Sequence, residues 1–547
     1  MHSATIRAAA RAAAPPSRLA LRRPAALSSL ASLTPGGGVH GSQTPSSPRR
    51  WRNKPLLRVH GEELYFKTGP EAVKLLANEA NRRDGAKPLY LAQFESFMAS
   101  LAPVFDRSPK HGAERGPCWL CHAFAEDGTR SPTLQKSART VVVSSSVVAL
   151  RYAWLAKILL EPERTVSFRV TYIDDWGNAR TNRGWRVQYA SSLGPYAGGL
   201  HFGRHVTADH LKAQAFDATF ANALTGQRLG GAAGGSNFDP TLASEPEIQR
   251  FCQSFMTELG KYVGPGSDLP GLGVNVGAAE IGYMYGQYKR TAETLSKHGF
   301  GMLWGGSVPH PEVFGYSPVA FAANLLAARG DSLKGKRCLV TGSGKVALAV
   351  AERLVALGAV PLTLSDSSGH VYEPEGLPAA KLARIATIKA ERGARVGRYI
   401  VASTTAAYND PPDIYDVPCD IVFPTAYAGE IDAGAAEKLA ARGCGLVVDA
   451  GYAPCEPTAI AAFKKLGVTY APFRATMAAG VSVAWSSKER AILKPDVANA
   501  VDAEAARIHD EVVRTATEYN VRGDLHAGAN IASFLRVADV MASHGCV

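Results

Sequence analysis

The stretch Lys334–Gly369, KGKRCLVTGSGKVALAVAERLVALGAVPLTLSDSSG, decides the fold that we predict for this chain. An apolar strand ends at Thr341, the glycine-rich turn Gly342–Ala347 follows, and Leu348–Leu357 has the pattern of a helix. Asp366 comes directly after the next apolar strand. A G-x-G-x-x-A turn between strand and helix aims backbone N–H groups at a pyrophosphate, and an acidic residue about 20 positions later contacts a ribose. The stretch predicts a dinucleotide-binding module. The alternative is that its glycines only allow the strand and the helix to pack tightly.

The candidate cofactor ligands belong to this turn and to the end of the next strand. Lysine within the turn supplies a positive charge that a phosphate can use. The predicted ligands are Gly342, Gly344, Lys345, Val346, Ala347, Ser365 and Asp366.

Short apolar runs separated by helical patterns continue toward the C-terminus. They lie at Cys419–Ala426, Gly445–Gly451 and Val468–Pro472, and helical patterns at Lys494–Val521 and Asn530–His544 close the chain. This alternation predicts a doubly wound α/β domain with a parallel sheet.

Upstream, Ser191–Pro240 carries glycine pairs that we interpret as two turns on the rim of a pocket, since glycine lets backbone approach a ligand closely. The pairs are Gly198–Gly199, Gly230–Gly231 and Gly234–Gly235. Ala197, Ala232 and Ala233 occupy the tightest points, where a charged group would be expected to do chemistry.

The basic character of the chain is concentrated at its N-terminus. The chain has 547 residues, enough for two or three domains, and a net charge of +12. Ten basic residues precede the first acid, Glu62, so little net charge remains elsewhere and no nucleic-acid footprint is predicted. Arginines recur at helical spacing among alanines over residues 1–52, which predicts a mitochondrial targeting segment and a matrix location; the alternative is a disordered basic tail. No apolar run reaches the roughly 18 residues of a membrane helix.

Eight cysteines are scattered through the chain, and we expect free, mostly buried thiols. Only Cys118 and Cys121 lie close together, in CWLCH, which ends at His122. This spacing suits c-type haem attachment or half of a zinc site, but no second C-x-x-C completes a zinc site. Two ordinary thiols within an insertion at about 108–140 are the favoured interpretation.

The chain resembles the hexameric NADP-type glutamate dehydrogenase family from about Tyr65 to Val547. The resemblance implies an N-terminal α/β substrate and oligomerisation domain, then a Rossmann-type domain that binds NADP, with C-terminal helices returning to the first domain. The implied boundaries are 1–52 (targeting), 53–305, 306–515 and 516–547. The motifs that carry the resemblance are NRGWRVQYASSLGPY, NALTG, GGSNFDP, RFCQSFMTEL, EIGYMYGQYKR, WGGS with PEVFGYS, VTGSGKVA, LSDSSG and AGANIASFLRVADVM.

The same resemblance places the family's substrate lysines, catalytic lysine and proton-shuttling aspartate at positions that have lost them. Alanine supplies neither charge nor donor, so the departures imply loss of catalysis. The alternative is that nearby Lys212 or Arg474 has taken over the role of the missing lysines. The polar family residues are replaced at Ala197, Ala221, Ala233, Gly273 and Ala484. The family's nicotinamide-contacting threonine corresponds to Phe314, its Thr-Gln-Asn run to Tyr427, Ala428 and Gly429, and two of its asparagines to Tyr452 and Met477. We expect the bulky ones to fill the cleft.

Three hypotheses follow from the sequence. The preferred one is a mitochondrial pseudoenzyme with a structural or interaction role, through self-association or as a subunit of a larger assembly. The second is an active dehydrogenase with a rebuilt site. The third is a sensor that binds NADP(H) without catalysis. The sequence names no partner.

Overall fold

A computed structural model describes residues 57–59, 62–64, 68–106, 145–291, 310–391, 393–489 and 496–545. All of these belong to one compact unit, Pro55–Val547. The predicted targeting segment 1–52 and the whole of the insertion at 108–140, with Cys118, Cys121 and His122, lie outside the described residues.

The first part of the chain forms a mixed sheet with helices packed against it. Helices begin where a polar side chain caps the free N–H groups, as Thr207 and Ser244 do. The elements are β1 (Leu57–Val59), β2 (Glu62–Leu64), α1 (Gly69–Asp84), α2 (Pro88–Ser100), α3 (Ala102–Asp106), α4 (Ser145–Ile158), β3 (Arg164–Ile173), β4 (Ala179–Ala190), β5 (Tyr196–Phe202), α5 (Ala208–Leu224), β6 (Gly231–Ser236), α6 (Glu245–Leu259), β7 (Asp268–Gly271) and α7 (Ala278–Thr291).

The sheet of this first domain has the strand order β3-β4-β6-β5-β7. Strand β4 is antiparallel to both β3 and β6, whereas β5 is parallel to β6 and β7. Strands β3 and β4 form an antiparallel hairpin that is paired from Arg164 and Gln188 to Ile173 and Ala179.

The glycine pairs lie in strands, so the prediction of two turns is wrong. Gly198 and Gly199 belong to β5, while Gly231, Gly234 and Gly235 belong to β6. The physical reason is close packing: a Cβ on Gly198 would lie 1.6 Å from the carbonyl oxygen of Ala232. A Cβ on Gly231 would lie 2.0 Å from Thr219 Oγ1 of α5. The glycines therefore draw β5, β6 and α5 together rather than bend the chain.

The second part of the chain alternates strands and helices around a parallel sheet. Two 3₁₀ segments, Val396–Ala402 and Pro411–Asp416, lie between its elements. The elements are α8 (Val313–Ala327), β8 (Arg337–Val340), α9 (Lys345–Ala356), β9 (Val360–Pro361), β10 (Thr363–Asp366), β11 (Gly369–Tyr372), α10 (Ala379–Ala390), β12 (Ala407–Asn409), β13 (Ile421–Phe423), α11 (Ala433–Ala441), β14 (Leu446–Val448), α12 (Pro457–Leu466), β15 (Thr469–Ala471), α13 (Phe473–Thr476), α14 (Ala478–Glu489), α15 (Val497–Glu518) and α16 (Leu525–His544).

The parallel sheet has the strand order β15-β14-β13-β8-β9, and every pairing in it is parallel. A small antiparallel sheet, β10-β11-β12, adjoins it. This confirms the predicted Rossmann-type domain, whose ligands bind at the carboxyl ends of the strands.

The last helix returns to the first domain, as predicted. Phe534 of α16 lies 6.5 Å from Phe97 of α2 and 6.4 Å from Phe105 of α3, measured between ring centres. Helix α16 begins at Leu525, earlier than the predicted Asn530, because Asp524 caps its first turn. Within the described part of the chain, no helix is long and apolar enough to cross a membrane.

Candidate functional site

Three of the positions singled out from the sequence lie on neighbouring elements of the first domain. Ala197 lies on β5, Ala221 on α5 and Ala233 on β6. The Asn222 side-chain amide donates to the carbonyl oxygens of Ala197 (3.2 Å) and Gly230 (2.6 Å), which fixes β5 and β6 against α5. Ala221 and Ala233 are buried, so the surfaces that they present are apolar.

Gly273, which follows β7, has no room for a side chain. A Cβ at this position would lie 2.1 Å from the carbonyl oxygen of Leu200 and 3.1 Å from Cε1 of His201. Contacts under 3.0 Å require the backbone to move. An aspartate at this position is therefore incompatible with the backbone that the chain adopts.

Ala484 lies on α14, beside the end of α5. Its neighbour Ser482 donates to the carbonyl oxygen of Thr225 at 3.5 Å, and Gln227 reaches Ser482 and Ser486 at 3.4 Å each. Ala484 itself is buried in the core of the second domain. Its methyl group offers no hydrogen bond to the cleft.

Lys212 is engaged away from the alanine positions. Its ammonium group lies 2.6 Å from Asp84 and 3.3 Å from Glu161, and 4.2 Å from the ring centre of Tyr90. These partners come from α1, α2 and the segment after α4, and Lys212 is almost fully buried among them.

Arg474 is likewise committed to protein partners. Its guanidinium pairs with Asp217 of α5 and donates to Asn530 of α16 at 2.7 Å. The rings of Phe97 and Phe216 lie 4.9 and 5.8 Å from it. Neither basic side chain that the sequence offered as a replacement is free to hold a substrate carboxylate.

Imidazoles stand in this cleft, and the sequence interpretation did not include them. His201 on β5 and His210 on α5 have ring centres 6.4 Å apart, and His205 lies 5.7 Å from His210. Burial lowers the pKa of His201 to about 3 and that of His210 to about 4, so both rings are neutral at pH 7. Their positions in the sequence could have identified them. His201 lies two residues after Gly199, and His210 lies in the first turn of α5.

The bulky replacements differ in what they fill. Tyr452, after β14, has its ring 6.1 Å from that of His210 and 5.4 Å from that of Phe473, so it bridges the cleft as expected. Met477 is buried and Phe314 is half-buried against the core of the second domain. Tyr427 does not fill the cleft, because it is 66 % exposed. Ala428 is exposed and Gly429 half-buried beside it.

The turn that is predicted to bind a dinucleotide lies between a strand and a helix, as the sequence predicts. Gly342 has a φ of +75°, and its N–H donates to Ser365 Oγ at 2.7 Å. Gly344 has open space above it, and no side chain caps the N-terminus of α9, where Val346 and Ala347 follow. Free backbone N–H groups at a helix N-terminus suit a pyrophosphate, so these residues fit NADP.

Two charged residues, one in this turn and one at the end of β10, make particular contacts. Burial would raise the pKa of Asp366, but hydrogen bonds from Ser368 and the Val396 N–H lower it. The carboxylate is thereby held as an anion by local donors. The Lys345 ammonium group lies 3.1 Å from the point that a Cβ on Gly277 would occupy, so Lys345 reaches across to the first domain.

Burial of the predicted thiols is confirmed at five described positions, none of which forms a disulfide: Cys252, Cys338, Cys419, Cys444 and Cys455. Among the residues that the structure describes, no group of three or more His, Cys, Asp or Glu side chains is arranged to hold a metal ion.

Comparison with known proteins agrees with this two-domain arrangement. Residues 162–290 match the family model "Glu/Leu/Phe/Val dehydrogenase, dimerisation domain", and residues 305–545 match "Glutamate/Leucine/Phenylalanine/Valine dehydrogenase". The two models together cover most of the chain and define the class as that of the amino-acid dehydrogenases.

Individual relatives narrow the class. The NADP-specific glutamate dehydrogenase of Chlorella sorokiniana is 41 % identical over 442 residues, which cover 78 % of this chain and 84 % of that protein. That of Giardia intestinalis is 37 % identical, over 76 % and 95 % of the two chains. The crystal structure of Plasmodium falciparum glutamate dehydrogenase superposes with a TM-score of 0.76 at 33 % identity, over 88 % of this chain and 96 % of that one. The chain belongs to the glutamate dehydrogenase family.

Proposed function

We propose that this chain is a catalytically inactive member of its family, kept for a structural or interaction role in the mitochondrial matrix. The observations that support it are the uncharged side chains of Ala197, Ala221 and Ala233, of which the last two are buried, and a Gly273 that has no room for an acid. A positioned acid or base contributes roughly 10²–10⁴-fold to a rate. The chain has lost these groups together, and Lys212 and Arg474 are held by carboxylates elsewhere.

The test is NADPH oxidation with 2-oxoglutarate and ammonium, using protein without residues 1–52. An NADP-specific glutamate dehydrogenase measured in parallel supplies the positive control. The proposal expects a background rate from folded protein. It is contradicted by turnover in the usual enzymatic range of roughly 1–10³ per second, which would support the alternative of an active dehydrogenase with a rebuilt site.

The match to a dimerisation domain supports self-association as part of the interaction role. Light scattering on the purified chain tests self-association, and a monomer at micromolar concentration would contradict it.

Cross-linking in isolated mitochondria, followed by mass spectrometry, tests whether the chain belongs to a larger assembly. Recovery of the chain alone would contradict that part of the proposal.

The mitochondrial location rests on the acid-free, arginine-rich segment 1–52. A fluorescent fusion of residues 1–52 is expected to reach the matrix, and replacing Arg7, Arg11, Arg18 and Arg22 by glutamine is expected to prevent it. Equal distribution of both fusions through the cell would contradict the location.

A non-catalytic NADP(H) sensor is the second candidate, favoured by the open N-terminus of α9 at Gly344. Residues Gly342, Gly344 and Ser365 would hold the dinucleotide, which in active enzymes carries the hydride. Binding without turnover would support a sensor. Absence of any NADPH-induced stabilisation at millimolar concentration would remove it.

A further inference from the structure

We propose that the inter-domain cleft binds a small uncharged molecule bearing both a hydrogen-bond donor and an acceptor, of which a primary carboxamide is the simplest, through His201 and Gln214. This inference rests on the proposed function in one respect, namely that the charges that would hold dicarboxylates are gone.

His201 supplies the donor. Side chains alternate along a strand, so Ala197, Gly199 and His201 of β5 share one face. The Val274 N–H donates to Nδ1 of His201 at 3.2 Å, and an acceptor nitrogen carries no proton. The proton of the neutral ring is therefore on Nε2. That atom lies 3.3 Å from the point that a Cβ on Gly199 would occupy, which places the donor over the glycines of β5.

Gln214 supplies the hydrogen-bond acceptor. His210, Gln214 and Ala221 lie four and seven residues apart, so they occupy one face of α5. The Gln214 amide nitrogen lies 2.9 Å from Nε2 of His210, which fixes the amide. Its Oε1 is buried without a hydrogen-bond partner, and the residue is only 5 % exposed. A buried unpaired acceptor destabilises a fold unless a ligand or water donates to it.

Charge selects against an anionic ligand. His201 and His210 are neutral, Ala197 and Ala221 carry no charge, and the Arg474 guanidinium is paired with Asp217. A carboxylate placed beside His201 and Gln214 loses its hydration and finds no counter-ion among these side chains. A carboxamide of the same shape loses much less hydration free energy on burial. It also offers an N–H donor to Gln214 and a carbonyl acceptor to His201.

The test compares glutaramide with glutarate, two molecules of the same length that differ in charge, by titration calorimetry on the full chain without nucleotide. We expect glutaramide to bind at least tenfold more tightly than glutarate. Gln214→Leu and His201→Phe are each expected to weaken glutaramide binding at least fivefold. Gln253→Leu, a like change on α6, is the matched control and is expected to leave it unchanged.

Equal or tighter binding of glutarate would overturn the inference, and so would the absence of glutaramide binding. Unchanged affinity in both variants would also overturn it. Thermal melting confirms that each variant folds, and either variant alone suffices for the comparison. Because no nucleotide is present, this result is separate from turnover: an active enzyme would refute the proposed inactivity and leave the binding preference to be judged by calorimetry.

Discussion

The ring of Tyr452 in the second domain lies 6.1 Å from the imidazole of His210 on α5 of the first. Tyr452 also contacts Phe473, whose ring lies 5.4 Å away at a steep angle, an arrangement that aromatic pairs favour. The hydroxyl of Tyr452 is buried without a hydrogen-bond partner. An aromatic side chain thus joins the two walls of the cleft at a position where the resemblance implies an asparagine.

The packing of β5 against β6 predicts a strong effect of a single methyl group. Gly198→Ala places a Cβ 1.6 Å from a carbonyl oxygen of β6, so strands must separate. We expect a loss of roughly 3 kcal/mol or more in the free energy of unfolding, measured by urea denaturation. Gly266→Ala, where a Cβ has nothing within 4 Å, is the control and should change stability little. Equal stability of the two variants would show that the strands do not pack this closely.

The buried ion pair between Arg474 and Asp217 joins α13 to α5. Arg474→Met leaves the carboxylate buried and unpaired, which typically costs about 3–5 kcal/mol. The double variant Arg474→Met/Asp217→Leu is expected to recover most of that loss, because no charge remains buried. Chemical denaturation of both variants measures the difference. Additive losses in the double variant would mean that the two groups are not coupled.

Stability is expected to fall with rising pH through Glu430. Burial raises the pKa of this carboxyl to about 8, although Thr341 and the Ala426 N–H donate to it. A raised acid pKa means that the folded chain keeps the proton that the unfolded chain releases. Its stabilising contribution is complete below the unfolded pKa of about 4.3 and is lost progressively up to about pH 8.

Glu430→Gln should remove the contribution of Glu430 to the pH dependence of stability. That contribution amounts to at most about 1.4 kcal/mol in the free energy of unfolding per pH unit between pH 5 and 8. Unfolding free energies of the variant and the parent across that range measure it. Glu373→Gln is the contrasting control, since hydrogen bonds and Lys381 outweigh burial and lower the pKa of Glu373 to about 2. Parallel pH profiles for the parent and Glu430→Gln would contradict the assignment.

The sequence predicted the second domain well because its strands and helices follow local rules. The turn at Gly342–Ala347 needs only a strand end, glycines and a helix start, all visible in one stretch. The strands at Gly198 and Gly231 were missed because glycine suits both a turn and a close backbone approach. The choice between a turn and a strand depends on Ala232 and Thr219, which contact these glycines in space but lie elsewhere in the sequence.

The site was predictable only in part, for a related reason. The uncharged residues Ala197 and Ala233 could be seen directly in the motifs. The grouping of His201, His210 and Tyr452 was not, since it depends on the register of β5 beside α5 and on how the domains meet. The exposure of Tyr427 likewise follows from the second domain's loop geometry rather than from its size.

NADPH is expected to stabilise the chain if the turn at α9 binds it. The Arg395 guanidinium donates to Ser367 Oγ at 2.5 Å, beside Asp366, so a positive charge stands next to the ribose end of the site. Arg395→Ala should therefore reduce the thermal shift caused by NADPH more than that caused by NADH. Equal reductions would show that Arg395 does not contact the extra phosphate.

The rate of NADPH oxidation by the purified chain, with saturating 2-oxoglutarate and ammonium, tests the proposed inactivity most directly. We expect a rate indistinguishable from buffer, from protein that melts cooperatively, because Ala197, Ala221, Ala233 and Gly273 supply no lysine or aspartate at the positions where the resemblance places the family's substrate and catalytic groups. A turnover of roughly one per second or faster would contradict it, and would mean that other groups in the cleft perform the chemistry.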